Sequence, residues 1–166
     1  QNYPHVRVPE SFDYHLAKAR IVARYANIKP ESALDWFNRT EKKPSPAIKA
    51  TFQYGRALVL LDERKFDQAQ PILEALHNQD KNNHFYLDAL ADLYIGLDQP
   101  QKAVDMLSKA LEAAPSNPVL MINYANTLLA QEKTEQAVRV LQRYSHDNPN
   151  DINGWLLLSD AYTKLG

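Results

Sequence analysis

The chain has no cysteine. That excludes a thiol nucleophile, a Cys-ligated zinc site and disulfides, and it leaves the compartment open because cysteine-free proteins occur in every redox environment. Glycine is nearly as scarce, at 4 of 166 residues against a usual ~7 %. Long apolar runs are missing: the longest, Ala57 to Leu61, has five residues, far below the ~20 that a membrane-spanning helix needs. No charge of one sign prevails, since 19 Lys plus Arg stand against 20 Asp plus Glu for a formal net charge of -1. A nucleic-acid binder would carry a basic excess, so that class is disfavoured. No basic segment followed by an apolar one marks a secretory leader. The first residue is Gln1, which gives the expectation of a piece cut from a longer protein.

What is abundant is leucine (21) and alanine (20), together 41 of 166 residues. Both are strong helix formers, and with glycine so scarce the expectation is an all-α protein. Internal periodicity then fixes the type. Ala69, Ala103 and Ala137 are spaced by 34, and Leu73, Leu107 and Leu141 follow each by four. The same spacing relates the small residues Ala57, Ala91, Ala125 and Ser159, the large apolar residues Leu87, Met121 and Trp155, and the breakers Pro115 and Pro149. Small residues twelve apart, as at Ala91 and Ala103, let two helix backbones approach where large side chains would hold them apart.

A 34-residue helix–turn–helix with small residues at the crossing, a late aromatic in the first helix and a proline after the second resembles the tetratricopeptide repeat. Residues 84–117 fill the pattern with Leu87, Leu90, Ala91, Tyr94, Ala103, Leu107, Ala110 and Pro115. Residues 118–151 follow with Met121, Tyr124, Ala125, Leu128, Ala137, Leu141, Tyr144 and Pro149. The unit at 50–83 has Ala57, Leu60, Ala69, Leu73 and Leu76, but Lys81 replaces the proline, and Gln53 and Arg56 depart from the apolar pattern. Upstream, residues 14–40 read as a degenerate hairpin with Pro30 opening its second helix, a position that tolerates proline. Pro44-Ser45-Pro46 absorbs two extra residues as a rigid turn. Pro71, inside a predicted helix, is expected to displace its start or kink it.

The resulting expectation is an all-α, right-handed α-α superhelix of about four and a half helical hairpins. It has a linker at 1–11 and a repeat domain at 12–166, with hairpins near 12–43, 47–80, 82–114 and 117–148 and a lone helix at 150–165. That helix has first-helix residues Trp155, Leu158 and Tyr162. Without a second helix one of its faces is uncovered, so it is expected to be a cap or, preferably, to continue in the natural protein.

Stretches that the repeat does not dictate narrow the resemblance. Asn2-Tyr3-Pro4, Asp13-Tyr14, Leu16-Ala17-Lys18, Gln53-Tyr54-Gly55-Arg56-Ala57-Leu58, Asn117-Pro118-Val119-Leu120, Arg143-Tyr144 after Leu141, and Asn153-Gly154-Trp155 before Leu157-Leu158 are similar to the C-terminal tetratricopeptide domain of the β-barrel assembly-enhancing (BepA-type) proteases of Gram-negative bacteria. The resemblance implies a periplasmic zinc metalloprotease whose catalytic domain precedes this segment. Its partners would be outer-membrane assembly machinery and unfolded β-barrel substrates. The family's HExxH zinc motif is absent here: His84 is followed by Phe85, Tyr86, Leu87 and Asp88, and no other histidine opens such a motif. No catalytic residue, metal ligand or cofactor is therefore assigned to this chain, and zinc is expected only in the missing catalytic domain.

Other constellations have plainer readings. His77, Asp80 and His84 lie within eight residues, yet they straddle a turn between repeats and lack the helical i, i+4 pairing that would hold two metal ligands together. No serine or threonine has a nucleophile's context, and the glycines form no phosphate loop. Trp36, Trp155 and the tyrosines read as core and seam residues.

The surface with a functional claim is the concave face, lined in such stacks by the first helix of each hairpin. The register puts Lys18, Tyr25, Tyr54, Leu61, Phe85, Asp88, Asp92, Ile122, Asn123 and Asn126 there, with Leu58 beside them. Leu58 and Leu61 equally suit packing on a neighbouring helix. Asn123 and Asn126 resemble the asparagines with which chaperone adaptors hold a peptide's terminal carboxylate. Ile122 stands where a lysine would be wanted, however, and Asp88 and Asp92 repel an anion. Side-chain or main-chain recognition of an extended segment is favoured instead. The competing reading, from a different class, is a stand-alone repeat adaptor with no protease attached. An autonomous hydrolase has no motif to support it.

Overall fold

The computed structural model describes residues 46–166. The expected linker at 1–11, the hairpin near 12–43 and the candidate groove residues Lys18 and Tyr25 lie outside them. Among the described residues the architecture is all-α, without strands. The helices are α1 (Pro46–Asp62), α2 (Phe66–Gln79), α3 (His84–Gly96), α4 (Pro100–Ala113), α5 (Pro118–Ala130), α6 (Thr134–Asp147) and α7 (Ile152–Leu165). Contacts divide the chain into two compact units, Gln1–Leu76 and His77–Gly166.

Polar columns at the 34-residue spacing set the helix ends. Asn83, Asn117 and Asp151 are the N-caps of α3, α5 and α7, and their side chains accept from the backbone N–H of Phe85, Val119 and Asn153 at 3.1, 3.0 and 3.1 Å. Each thereby satisfies a donor that the first helical turn leaves unpaired. Between the two helices of each hairpin, Arg64, Asp98 and Glu132 adopt positive φ of 55°, 56° and 57°. The next N–H reaches back five residues in all three turns: Lys65 to Leu60, Gln99 to Tyr94 and Lys133 to Leu128, at 2.8, 2.8 and 3.0 Å. This is the Schellman closure, here built without glycine.

In the first unit, α2 begins at Phe66 and runs through Pro71, so the proline does not displace the helix start. It supplies no N–H to the carbonyl one turn earlier, and both Pro71 and Asp67 are exposed, where water can serve that carbonyl. Ala57, Leu60, Ala69, Leu73 and Leu76 are buried.

In the second unit α3 packs on α4, α4 on α5, α5 on α6 and α6 on α7. Ala91 and Ala103, both fully buried, share one core cluster with Leu87, Leu107, Ala110 and Leu120. A second cluster joins Ala125, Val138, Leu141, Leu158 and Ala161. Alanine at the crossing admits close backbones, and each leucine beside it stabilises by about 1.5–3 kcal/mol through removal of apolar surface from water. Gly154 serves the last interface differently. A Cβ there would lie 2.4 Å from the Tyr144 ring, so the missing side chain is what lets that ring lie against α7.

Candidate functional site

The N-capped first helices α3, α5 and α7 bring one set of side chains to a common face of the second unit. Asn123 of α5 donates from Nδ2 to Asp88 Oδ1 of α3 at 3.0 Å. The contact spans one repeat plus one residue and ties two adjacent first helices together on the expected groove side. The Asn123 carbonyl also accepts from the Thr127 hydroxyl at 2.8 Å. One turn beyond Asn123, Asn126 is exposed and lines an open depression of about 520 Å³ with Leu129, Leu157, Asp160 and Lys164. The depression combines a carboxamide, a carboxylate and an ammonium above a leucine floor. That chemistry suits hydrogen bonding to a polypeptide main chain with a small apolar contact beneath it.

Of the residues predicted for this face, Phe85, Asp88, Ile122 and Asn123 are half-buried, and Asp92 and Asn126 are exposed. The Phe85 ring lies 4.0 Å, centroid to centroid, from that of His84. In the first unit Leu58 and Leu61 are half-buried. Tyr54 is only 3 % exposed, which corrects the expectation that it lines an open face: its side chain is withdrawn from water and has almost no surface to offer a partner. The sequence reading passed over Leu157, Asp160 and Lys164. The signal was available, because Leu157 and Asp160 stand 34 residues after Asn123 and Asn126.

Polar contacts behind the groove lock the helices in place. Gln131 Nε2 donates to the Pro100 carbonyl at 2.8 Å, and Lys102 Nζ sits 5.2 Å above the Tyr94 ring, within cation–π range. Tyr144 donates its hydroxyl to Asp151 Oδ2, the residue whose other oxygen caps α7. That hydrogen bond, with burial second, holds the Tyr144 phenol above its usual range. Burial, with Lys109 and Lys81 nearby, holds the His77 imidazole below its own. Among the described residues no group of three His, Asp or Glu side chains is placed to hold a metal ion, and no helix is long and apolar enough to cross a membrane.

Paired helices with alanine crossings, repeated at 34 residues, define a tetratricopeptide protein, and the tetratricopeptide repeat family matches residues 94–161. The fold is shared with a thermophilic tetratricopeptide protein of Thermus thermophilus, at a TM-score of 0.70 and 16 % identity over 94 % of this chain and 84 % of that one. In sequence, the chain is 55 % identical over 166 residues to a Vibrio cholerae protein bearing the name beta-barrel assembly-enhancing protease, covering 100 % of this chain and 34 % of that protein. It is 34 % identical over 158 residues to the beta-barrel assembly-enhancing protease of Escherichia coli, covering 95 % and 32 %. The chain thus has the tetratricopeptide fold and is similar along its length to a segment of proteins named beta-barrel assembly-enhancing protease. It spans about a third of the length of these curated relatives.

Proposed function

We propose that this chain is the protein-binding module of a periplasmic zinc metalloprotease, and that its groove engages outer-membrane β-barrel assembly machinery or unfolded β-barrel proteins. Kinship along the whole chain with proteins named for β-barrel assembly carries this reading. The module performs no chemistry itself: zinc, and the residues that hold it, belong to a separate catalytic domain of the parent. Within the groove, one Asn123 amide hydrogen is taken by Asp88, and Asp160 adds negative charge beside Asn126. The groove therefore favours a main chain or neutral side chains over a terminal carboxylate. An extended segment is the fitting ligand, because its amides can use Asn126 and Asp160 while apolar side chains reach Leu129 and Leu157.

The test is site-specific photo-crosslinking in cells, with the crosslinker at Asn126 or Phe85 of the full-length parent and at exposed Arg139 of α6 as control. Adducts with an outer-membrane assembly component or a β-barrel protein, formed from the groove positions and not from Arg139, are expected. Equal labelling from Arg139 would remove the groove from the reading. A parent lacking HExxH would replace the protease module by a stand-alone adaptor.

A further inference from the structure

The groove helices expose more carbon than the depression at Asn126 uses. Val119 of α5 and Leu156 of α7 are 60 % and 58 % exposed, and neither lines that depression. Both stand on the groove side, because Val119 precedes Asn126 by seven residues and Leu156 precedes Asp160 by four, spacings that return to one helix face. Ile122, half-buried against the cluster around Ala125, is the register equivalent of Leu156, and Phe85 of α3 is that of Val119. Together they form an apolar shelf along the helix starts.

A polar row runs beside the shelf. The Asp88–Asn123 bond links α3 to α5, and about one turn beyond it in each helix stand Asp92 and Asn126. Asp160 of α7 continues the row at the same 34-residue spacing. At 1.5 Å per residue along a helix, row and shelf are about 6–10 Å apart. The helices that carry both, α3, α5 and α7, hold three aspartates, no glutamate and no arginine, and one lysine, Lys164 in the last turn of α7. Lys164 offsets one of the three negative charges. Every other Lys and Arg of this unit lies in α4, in α6 or in a connection.

Resting on the groove function proposed above, we infer that this surface selects an extended segment in which apolar residues alternate with lysine or arginine. Successive side chains of a strand point to opposite sides, and same-side residues recur about every 7 Å. A strand set on edge fits the strip between shelf and row. Its apolar set lies on Phe85, Val119, Ile122 and Leu156, its basic set reaches Asp92 and Asp160, and its hydrogen-bonding edge faces Asn126. First helices about 10 Å apart make a track of about 20 Å over α3, α5 and α7, the length of about six or seven extended residues. A helix, about 10–12 Å across with its side chains, would cover shelf and row with one face and turn the other to water. Strands of membrane barrels alternate apolar with polar residues, and among such strands this surface favours those whose polar set is basic.

The probes are three fluorescein-labelled peptides of about nine extended residues, titrated with the 1–166 chain at about 0.15 M salt and read by anisotropy. The first alternates Lys with Val and Leu. The second has the same composition with its apolar residues at helical spacing, and the third replaces Lys by Glu. Saturable binding is expected for the first, with the other two at least tenfold weaker. Val119→Ser combined with Leu156→Ser, both at exposed sites, should weaken the first peptide at least tenfold. Asp160→Asn, which removes one surface charge, should weaken it about threefold. Equal binding of the helically spaced or the Glu peptide overturns the inference. So does a Val119→Ser, Leu156→Ser chain that binds the first peptide unchanged, or a lack of saturation by all three. Groove crosslinking in cells reads the partner, whereas these titrations read the ligand's pattern. Adducts from Asn126 without peptide discrimination overturn this inference alone, and peptide discrimination without adducts overturns the proposed partners alone.

Discussion

Asn123 and Asp88, 35 residues apart in sequence, are joined by a 3.0 Å hydrogen bond between the first helices of adjacent repeats. The bond is half-buried, so water still competes for its donor and for its carboxylate acceptor. Its net contribution is expected at about 1 kcal/mol, within the ordinary range for intramolecular hydrogen bonds. A double-mutant cycle with Asn123→Ala and Asp88→Ala, read by denaturant melts, should return that coupling. A value indistinguishable from zero would mean that the two helices are held without it.

The alanine crossing makes a stronger demand. Leu107 is 1 % exposed and shares its cluster with Ala91 and Ala103. Leu107→Ala removes a buried side chain and leaves a cavity, with an expected loss of about 2–5 kcal/mol. Ala103→Leu forces volume into the place where two backbones meet, with an expected loss of about 1–3 kcal/mol. Urea titration checks both. Tolerance of a large residue at Ala103 would contradict a close crossing of α3 and α4.

Turn residues provide a prediction in the opposite direction. Asp98 and Glu132 occupy positive φ, where a Cβ is disfavoured and glycine is not. Glu132→Gly should stabilise by about 0.5–1 kcal/mol, the gain being limited by the greater freedom of glycine in the unfolded chain. Asp98→Gly should gain less, because aspartate tolerates the left-handed region better than glutamate does. Thermal melts in which both substitutions destabilise would show that these side chains make contacts worth more than the backbone strain.

These columns show what the amino-acid order makes plain and what it hides. The alanine and leucine columns disclose the fold because burial selects residue type: a crossing needs Ala91 and Ala103, and a core needs Leu107. The polar columns Asn83–Asn117–Asp151 and Arg64–Asp98–Glu132 are written at the same spacing. They escape a search that follows apolar residues alone, and the second mixes charge signs because only its backbone is constrained. Groove lining is harder still. Tyr54, Asp88, Ile122 and Leu156 share one register position, yet they range from buried Tyr54 to exposed Leu156. Register fixes where on a helix a side chain starts, whereas its covering depends on neighbouring elements that periodicity does not specify.

Packing and titration meet at the α6–α7 junction. Glycine inside a helix ordinarily costs about 0.5–1 kcal/mol relative to alanine, so Gly154→Ala would stabilise if space allowed. With the Tyr144 ring 2.4 Å from the new Cβ, the sign reverses, and a loss of about 1–3 kcal/mol is expected. Tyr144→Ala in the same chain should relieve the clash, making the two changes strongly non-additive. The Tyr144 phenol, held up by its bond to Asp151 and by burial, adds a pH signature. Its pKa is higher folded than unfolded, so this contribution is complete below the unfolded value of about 10 and is lost as pH rises through the folded one. Tyr144→Phe cannot ionise and should flatten the alkaline limb of the stability profile. Denaturant titrations between about pH 9 and 12 read the difference, and an unchanged alkaline limb in Tyr144→Phe would show that the Tyr144–Asp151 bond contributes nothing to it.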